Sequence, residues 1–221
     1  MKVHYSTWLI FLCVLGMFCL NLFFYPRLPD RLATHWNAQG QVDGYTSKTA
    51  GLLMLPMIAL AIVSLLLVLA QIDPLKRNIE TFRGIYNTAI LYFLGFLFVV
   101  QAHIISWNLG FQVRINVLVP VMIAVLIFGL GSLMGKLRPN WAIGIRTPWT
   151  LSSKQVWMQT HHWGELLFKS AACIVLLGAL WNDYAIVFVL APVLSITVLL
   201  IILSYIFYRR EQKQNALKAD I

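Results

Sequence analysis

Charge is scarce in this chain. Only 11% of its 221 residues are Asp, Glu, Lys or Arg, the acidic side chains number eight against seventeen Lys and Arg, and 60% of residues are apolar. A soluble domain carries about 25% charged residues, so this composition excludes that class and implies an integral membrane protein. Cysteine is sparse too. Cys13, Cys19 and Cys173 lie inside apolar runs with no CxxC pair and no Cys/His spacing suited to zinc, and read as small buried hydrophobes. HExxH, GxSxG and P-loop patterns are missing, and no cofactor is implied. No Asp, Glu or His sits near the middle of an apolar run, where a proton-coupled transporter keeps such groups; His103 lies close to one end of its run.

What the chain has instead is apolar length. Runs cover residues 7–24, 51–70, 85–107, 115–135, 165–181 and 185–208, each near the ~20 residues that cross ~30 Å of hydrocarbon. The first follows Lys2 and has the outline of a signal peptide. Its apolar core exceeds the usual ~7–15 residues, however, and no small-x-small cleavage site precedes Pro26, so it reads as an uncleaved span. The runs lack the period-two alternation of barrel strands, and hydrocarbon offers backbone amides no partner, so each must be a helix. The expected fold is all-α: a polytopic bundle of six transmembrane helices. Pro56, Pro120 and Pro192 are expected to kink spans two, four and six, and Gly129, Gly131 and Gly135 to admit close packing in span four.

The net charge of +9 is distributed at the ends of these runs, which points to topology and anionic lipid and away from direct contact with nucleic acid. With six crossings, thirteen of the seventeen Lys and Arg share one side with both termini. Arg27, Arg31, Lys48 and Arg114 hold the other. The positive-inside rule then places both termini in the cytoplasm. Three segments follow. Residues 1–84 form an N-terminal module with an outer loop at 25–50 and an inner loop at 71–84. Residues 85–208 form a second module with an inner loop at 136–164, and residues 209–221 a basic cytoplasmic tail.

Two polar loops stand out. The inner stretch RPNWAIGIRTPWTLSSKQVW, residues 138–157, carries Arg138, Arg146 and Lys154, two prolines, three tryptophans and no acid. Pro139 and Pro148 fix φ and hold the residue before each extended. The tryptophans suit the headgroup layer, where a ring is half apolar and half wet. Thr147, Pro148 and residues 150–153 read as a turn and an N-cap for a helix starting near Lys154. In the outer loop, Pro29 and Asp30 read as a helix cap, with residues 31–36 forming a helical turn or two. Asn37, Gly40, Asp43 and Gly44 then mark two tight turns. His35, Trp36, Asn37 and Asp43 are available to a ligand or ion, or His35 and Asp43 simply satisfy turn amides. His161, His162 and Glu165 are the one zinc-like set, His161 and Glu165 being one helical turn apart; Lys169, four residues beyond Glu165, competes as an ion-pair partner.

Both loops carry a resemblance. The outer HWNAQGQVDGYTSK resembles the N-terminal module of unknown function found in the SdpI family of bacterial immunity and signalling membrane proteins. The inner loop, followed by THHWG, resembles that family's C-terminal signature. Arg138, Pro139, Asn140, Gly144, Ile145, Arg146, Thr147, Pro148, Trp149, Trp157 and His161 match the signature, and His35, Asn37, Gly40, Asp43 and Gly44 match the outer module. The resemblance implies a non-enzymatic protein that protects its cell from a secreted, membrane-active peptide toxin and signals by holding a transcriptional repressor at the membrane. Two readings remain open beside it: a transporter or channel for small molecules or lipids, and a membrane-embedded, metal-dependent hydrolase built on His161, His162 and Glu165.

Overall fold

Five long helices dominate the computed structural model, which describes residues 5–219. The elements run α1 (Tyr5–Phe24), β1 (Arg31–Trp36), β2 (Val42–Ser47), α2 (Lys48–Ile72), α3 (Lys76–Thr81), α4 (Arg83–Asn108), α5 (Ile115–Met134), α6 (Pro148–Ser152), α7 (Lys154–Leu177) and α8 (Ala185–Ala219). Helices α1, α2, α4, α5 and α8 are long and apolar enough to cross a membrane, and they present Trp8, Leu12, Leu22, Leu65, Val125, Leu194 and Val198 outward. Apolar side chains exposed along whole helices are stable only against lipid, so this is a multi-pass membrane protein. α7 matches the others in length, but its first half reads KQVWMQTHHWGE and is too polar to count among them.

The helix of the fifth run begins eleven residues earlier than residue 165, because Ser153 caps it by accepting from the Val156 amide at 3.2 Å. α8 continues into the basic tail as far as Ala219.

Two cores hold the bundle. In the first, Ile10, Val14 and Met17 of α1 face Ile90, Leu94 and Leu97 of α4, with Leu55, Ala59 and Val63 of α2 beside them. Polar side chains stitch the same interface. Asn87 donates to the Ser6 hydroxyl at 2.9 Å and the Thr7 hydroxyl at 3.0 Å. Gln101 donates to Asn21 Oδ1 at 2.9 Å, while Asn21 donates to the Leu52 carbonyl at 2.6 Å. Interhelical bonds of this kind contribute roughly 0.6–2 kcal/mol each and fix register, which apolar packing against lipid does poorly. In the second core, Ala124 and Ile127 of α5 meet Ala171, Ala172 and Val175 of α7 and Ile196 of α8. Small residues bring these backbones close; a Cβ on Gly131 would fall 2.7 Å from Phe168 Cβ. Met134 lies against Gly164 and Gly131 against Phe168, so α7 runs back antiparallel along α5.

The outer loop adds one two-stranded hairpin to an otherwise helical fold. Residues 31–36 are a strand, not a helical turn, paired antiparallel with β2 in the register Arg31↔Ser47, Leu32↔Thr46 and Ala33↔Tyr45. Asp30 does not cap a helix. Its carbonyl accepts from the Lys48 amide at 2.8 Å and its carboxylate pairs with Lys48 Nζ at 3.3 Å, closing the base of the hairpin. A single turn at residues 37–41 replaces the two expected: Asn37 Oδ1 accepts from the Gln39 and Gln41 amides at 3.0 and 2.9 Å, and Gly40 takes φ +78°. Leu32 anchors the sheet in a pocket with Leu28, Leu52 and Ile105.

Asn108 clamps the hairpin to the end of α4, donating to the Ala33 carbonyl at 3.1 Å and accepting from the Ala33 amide at 2.9 Å. Replacing it by Leu removes both bonds and strands the Ala33 groups, at about 1–3 kcal/mol. We expect Asn108→Leu to raise hydrogen exchange across residues 31–47 while leaving α4 protected. Unchanged exchange would show that the clamp contributes nothing.

Candidate functional site

The bundle carries a folded polar element at each end, and they differ in construction. At the hairpin end, Trp36 packs on His103 and Trp107 of α4, ring centroids 5.2 and 5.4 Å apart. Asn116 at the start of α5 donates to the Ala38 carbonyl at 3.1 Å. Between the hairpin turn and the ends of α5 and α8 lies a cleft of about 180 Å³, lined by Trp36, Asn37, Asn116, Pro120, Ile186 and Val189 among others. His35 and Asp43 do not cap turn amides. They meet across the strands, His35 Nδ1 to Asp43 Oδ1 at 2.5 Å, on the exposed face beside Gly44. Thus Trp36 and Asn37 face the cleft, Gly40 shapes the turn, and His35, Asp43 and Gly44 form a separate surface patch.

At the other end, the signature loop solves a problem of backbone chemistry. Its chain between Leu137 and Thr147 is irregular, yet Asn140, Ala142 and Thr147 are buried, so its amides need partners that a helix or sheet is not there to supply. Side chains supply them. Asn140 Oδ1 accepts from the Ala142 and Ile143 amides at 2.9 and 2.8 Å, and its amide nitrogen donates to the Arg138 carbonyl at 2.8 Å. Asp73, from the loop after α2, accepts from the Trp141 amide at 2.8 Å and from the Leu75 amide at 2.7 Å. Asn78 of α3 donates to the Pro139 carbonyl at 2.8 Å, and the Arg146 guanidinium donates to the Trp141 carbonyl. Thr147 and Thr150 form a reciprocal capping box at the start of α6, with Pro148 at its first turn. Thr147 also donates to Ser204 of α8 at 3.0 Å.

His161 lies at the centre. Its Nδ1–H donates to the Trp157 carbonyl at 2.8 Å, and its Nε2 accepts from the Ile145 amide at 3.0 Å. Those two bonds require the neutral ring with the proton on Nδ1. Burial pushes its pKa down to about 4, against a smaller upward pull from the bond to Trp157. Trp157 stacks on the ring at a centroid distance of 4.0 Å and donates to the Leu137 carbonyl at 3.0 Å. Gly144 takes φ +113°, and a Cβ there would sit 2.6 Å from His161 Nε2, so both its conformation and its space demand glycine.

Trp157 is therefore not a headgroup-layer residue: it is fully buried, whereas Trp141 is 53% exposed. Trp149 is half-buried against Tyr205 of α8, rings 5.1 Å apart. Nor do His161, His162 and Glu165 converge on a metal. Both nitrogens of His161 are committed to backbone, His162 is exposed, and Glu165 is held by Lys169 at 2.6 Å. Among the described residues, no three His, Cys, Asp or Glu side chains come together in a metal-binding group. Sequence reasoning passed over Asp73, Asn78, Asn108, Asn116 and Ser204. Only Asp73 left a signal, as an acid followed directly by Pro74 at the start of the inner loop.

The fold and its two ends define a class: a multi-pass α-helical membrane protein with a clamped hairpin at one end and a side-chain-capped loop at the other. Two family models match the chain, a domain of unknown function (DUF1648) over residues 12–60, which take in the hairpin, and the SdpI/YfhL protein family over residues 136–207. The chain is also 23% identical to the immunity protein SdpI of Bacillus subtilis (strain 168) over 194 residues, 87% of this chain and 91% of that protein. No solved structure matches it. Together these matches support an SdpI family member.

The neutral, buried His161 gives the fold a pH dependence with a definite sign. In the unfolded chain the imidazole binds a proton below about pH 6.5, whereas in the fold it resists protonation down to about 4. Stability should therefore be full above pH 6.5 and fall between 6.5 and 4, by roughly 3 kcal/mol. Denaturation of the detergent-solubilised protein across that range should show this loss, and His161→Gln should remove it. A loss of the same size in His161→Gln would assign the effect to other groups.

Proposed function

We propose that this chain is a non-enzymatic immunity and sensor protein of the bacterial cytoplasmic membrane, which meets a membrane-active peptide toxin at its hairpin and protects the cell that makes it. The observation that carries the reading is a built, rigidly clamped polar surface at the hairpin end of a chain similar, over most of its length, to an immunity protein. The distribution of Lys and Arg supports a topology with that end outside and the signature loop inside. The antiparallel course of α7 along α5 supports a sixth crossing, with its polar first half in the signature loop and its apolar second half in lipid.

The cleft beside Trp36 and Asn116 suits an apolar side chain of an extended or helical peptide, with the amides of the turn at its rim. α5 gives a physical route from one end to the other. Its first turn holds Ala38 through Asn116, and its last turn leads directly into the signature loop. A peptide that favoured one seating of the hairpin over another would bias the same helix and the loop it carries. On this reading the exposed basic and aromatic side chains there, Arg146 and Trp141, present the state of the outer site to a cytoplasmic partner such as a transcriptional repressor.

Expression of the chain in a peptide-sensitive bacterium tests the proposal. Survival against a panel of membrane-active peptides should rise. Trp36→Ala should shift the protective dose by roughly tenfold, the change that accompanies loss of about 1.4 kcal/mol of binding, with membrane abundance unchanged. Wild-type chain that reached the membrane and protected against none of the panel would refute the reading.

A further inference from the structure

The signature-loop end carries a second cleft, separate from the capped backbone. It has a volume of about 420 Å³ between the chain just after α5, the first half of α7 and α8 at Phe207, and its wall includes Arg138, Gln159, His162, Trp163, Leu137 and Phe207. Three properties of that wall coincide. First, none of its lining side chains is a carboxylate, and Arg138, Gln159 and His162 can each donate; among the described residues these three side chains make no hydrogen bond or ion pair of their own, whereas His161, also in the wall, has both nitrogens on backbone groups. Glu165, one turn along from His162, is taken by Lys169 at 2.6 Å. Second, the other half is apolar: Leu137 is buried behind it, and Trp163 stands 44% exposed. Third, the cleft lies where the helices change character. α5 ends its apolar run at Met134 and the chain continues into Lys136; α8 passes from Phe207 through Tyr208 to Arg209; α7 turns apolar at Leu166. Such a level is the boundary between hydrocarbon and headgroups.

We propose that this cleft binds one anionic phospholipid, its phosphate held by Arg138 with Gln159 and His162, and its acyl chains lying along Phe207 and Trp163. An arginine fork recognises phosphate through two parallel charge-assisted bonds. Lys136 and Arg209 add positive potential, which favours an anionic headgroup and disfavours a zwitterionic one that brings its own cation. The site takes a lipid from the membrane, not a peptide, and it stands independently of any role in immunity.

The test places the full-length protein in nanodiscs of equal phosphatidylglycerol and phosphatidylcholine, then counts lipids retained after gentle release by native mass spectrometry. Wild type should keep one phosphatidylglycerol in preference to phosphatidylcholine by roughly fivefold, as about one favourable basic contact provides. Arg138→Gln with His162→Gln should abolish the preference, while Arg210→Gln, on α8 but outside the cleft, should leave it intact. The wild-type ratio decides the matter even if the double variant fails to fold. Equal retention of the two lipids by wild type, or undiminished preference in a folded double variant, overturns the site. Stabilisation by inorganic phosphate equal to that by the lipid would assign the cleft to free phosphate and overturn the lipid proposal.

Discussion

Irregular backbone buried at the edge of a membrane protein must find hydrogen-bond partners, and the signature loop finds them in side chains. Four of its amides, those of Trp141, Ala142, Ile143 and Ile145, end on Asp73, Asn140 and His161. An unpartnered buried amide costs about 1–3 kcal/mol, so losing several at once would unseat the loop. That constraint accounts for residues which otherwise look unrelated. Gly144 leaves space for the imidazole, Trp157 covers it, and the neutral state of His161 lets Nε2 accept.

The same loop ties the two halves of the bundle together. Asp73 and Asn78 come from the segment after α2, and Leu137, Ala142 and Trp157 complete the core that α1, α2 and α4 begin. Thr147 reaches Ser204 on α8. At the opposite end the hairpin plays the corresponding part, with Asn108 on α4 and Asn116 on α5 each holding a residue of it. Lipid gives apolar helices little reason to prefer one neighbour over another. These polar contacts, with the Asn21–Gln101 and Asn87–Ser6 bonds between them, therefore set which helices pair and at what height.

Much of this was legible in the sequence because lipid permits so few structures. Any run of some twenty apolar residues must be a helix, and five of the six runs are helices that meet the crossing criterion. The errors arose where water and protein, not lipid, decide the structure. Pro29–Asp30 before RLATHW gives the signal of a capped helix, yet Val42–Ser47 lay within reach as a strand partner and the turn at Asn37 brought it back. Trp157 shares composition with the interfacial tryptophans, and only its position one helical turn before His161, facing the loop, buries it. Asp73 is sixty-eight residues from the amide it accepts, a pairing that local pattern does not carry.

The central claim is that side chains hold the signature loop as firmly as a helix holds its own backbone. Amide hydrogen exchange on the protein in lipid nanodiscs measures this directly at Trp141, Ala142, Ile143 and Ile145. The account predicts protection at those four positions comparable to the neighbouring amides of α7. Exchange at the rate of an open, solvated loop would contradict it.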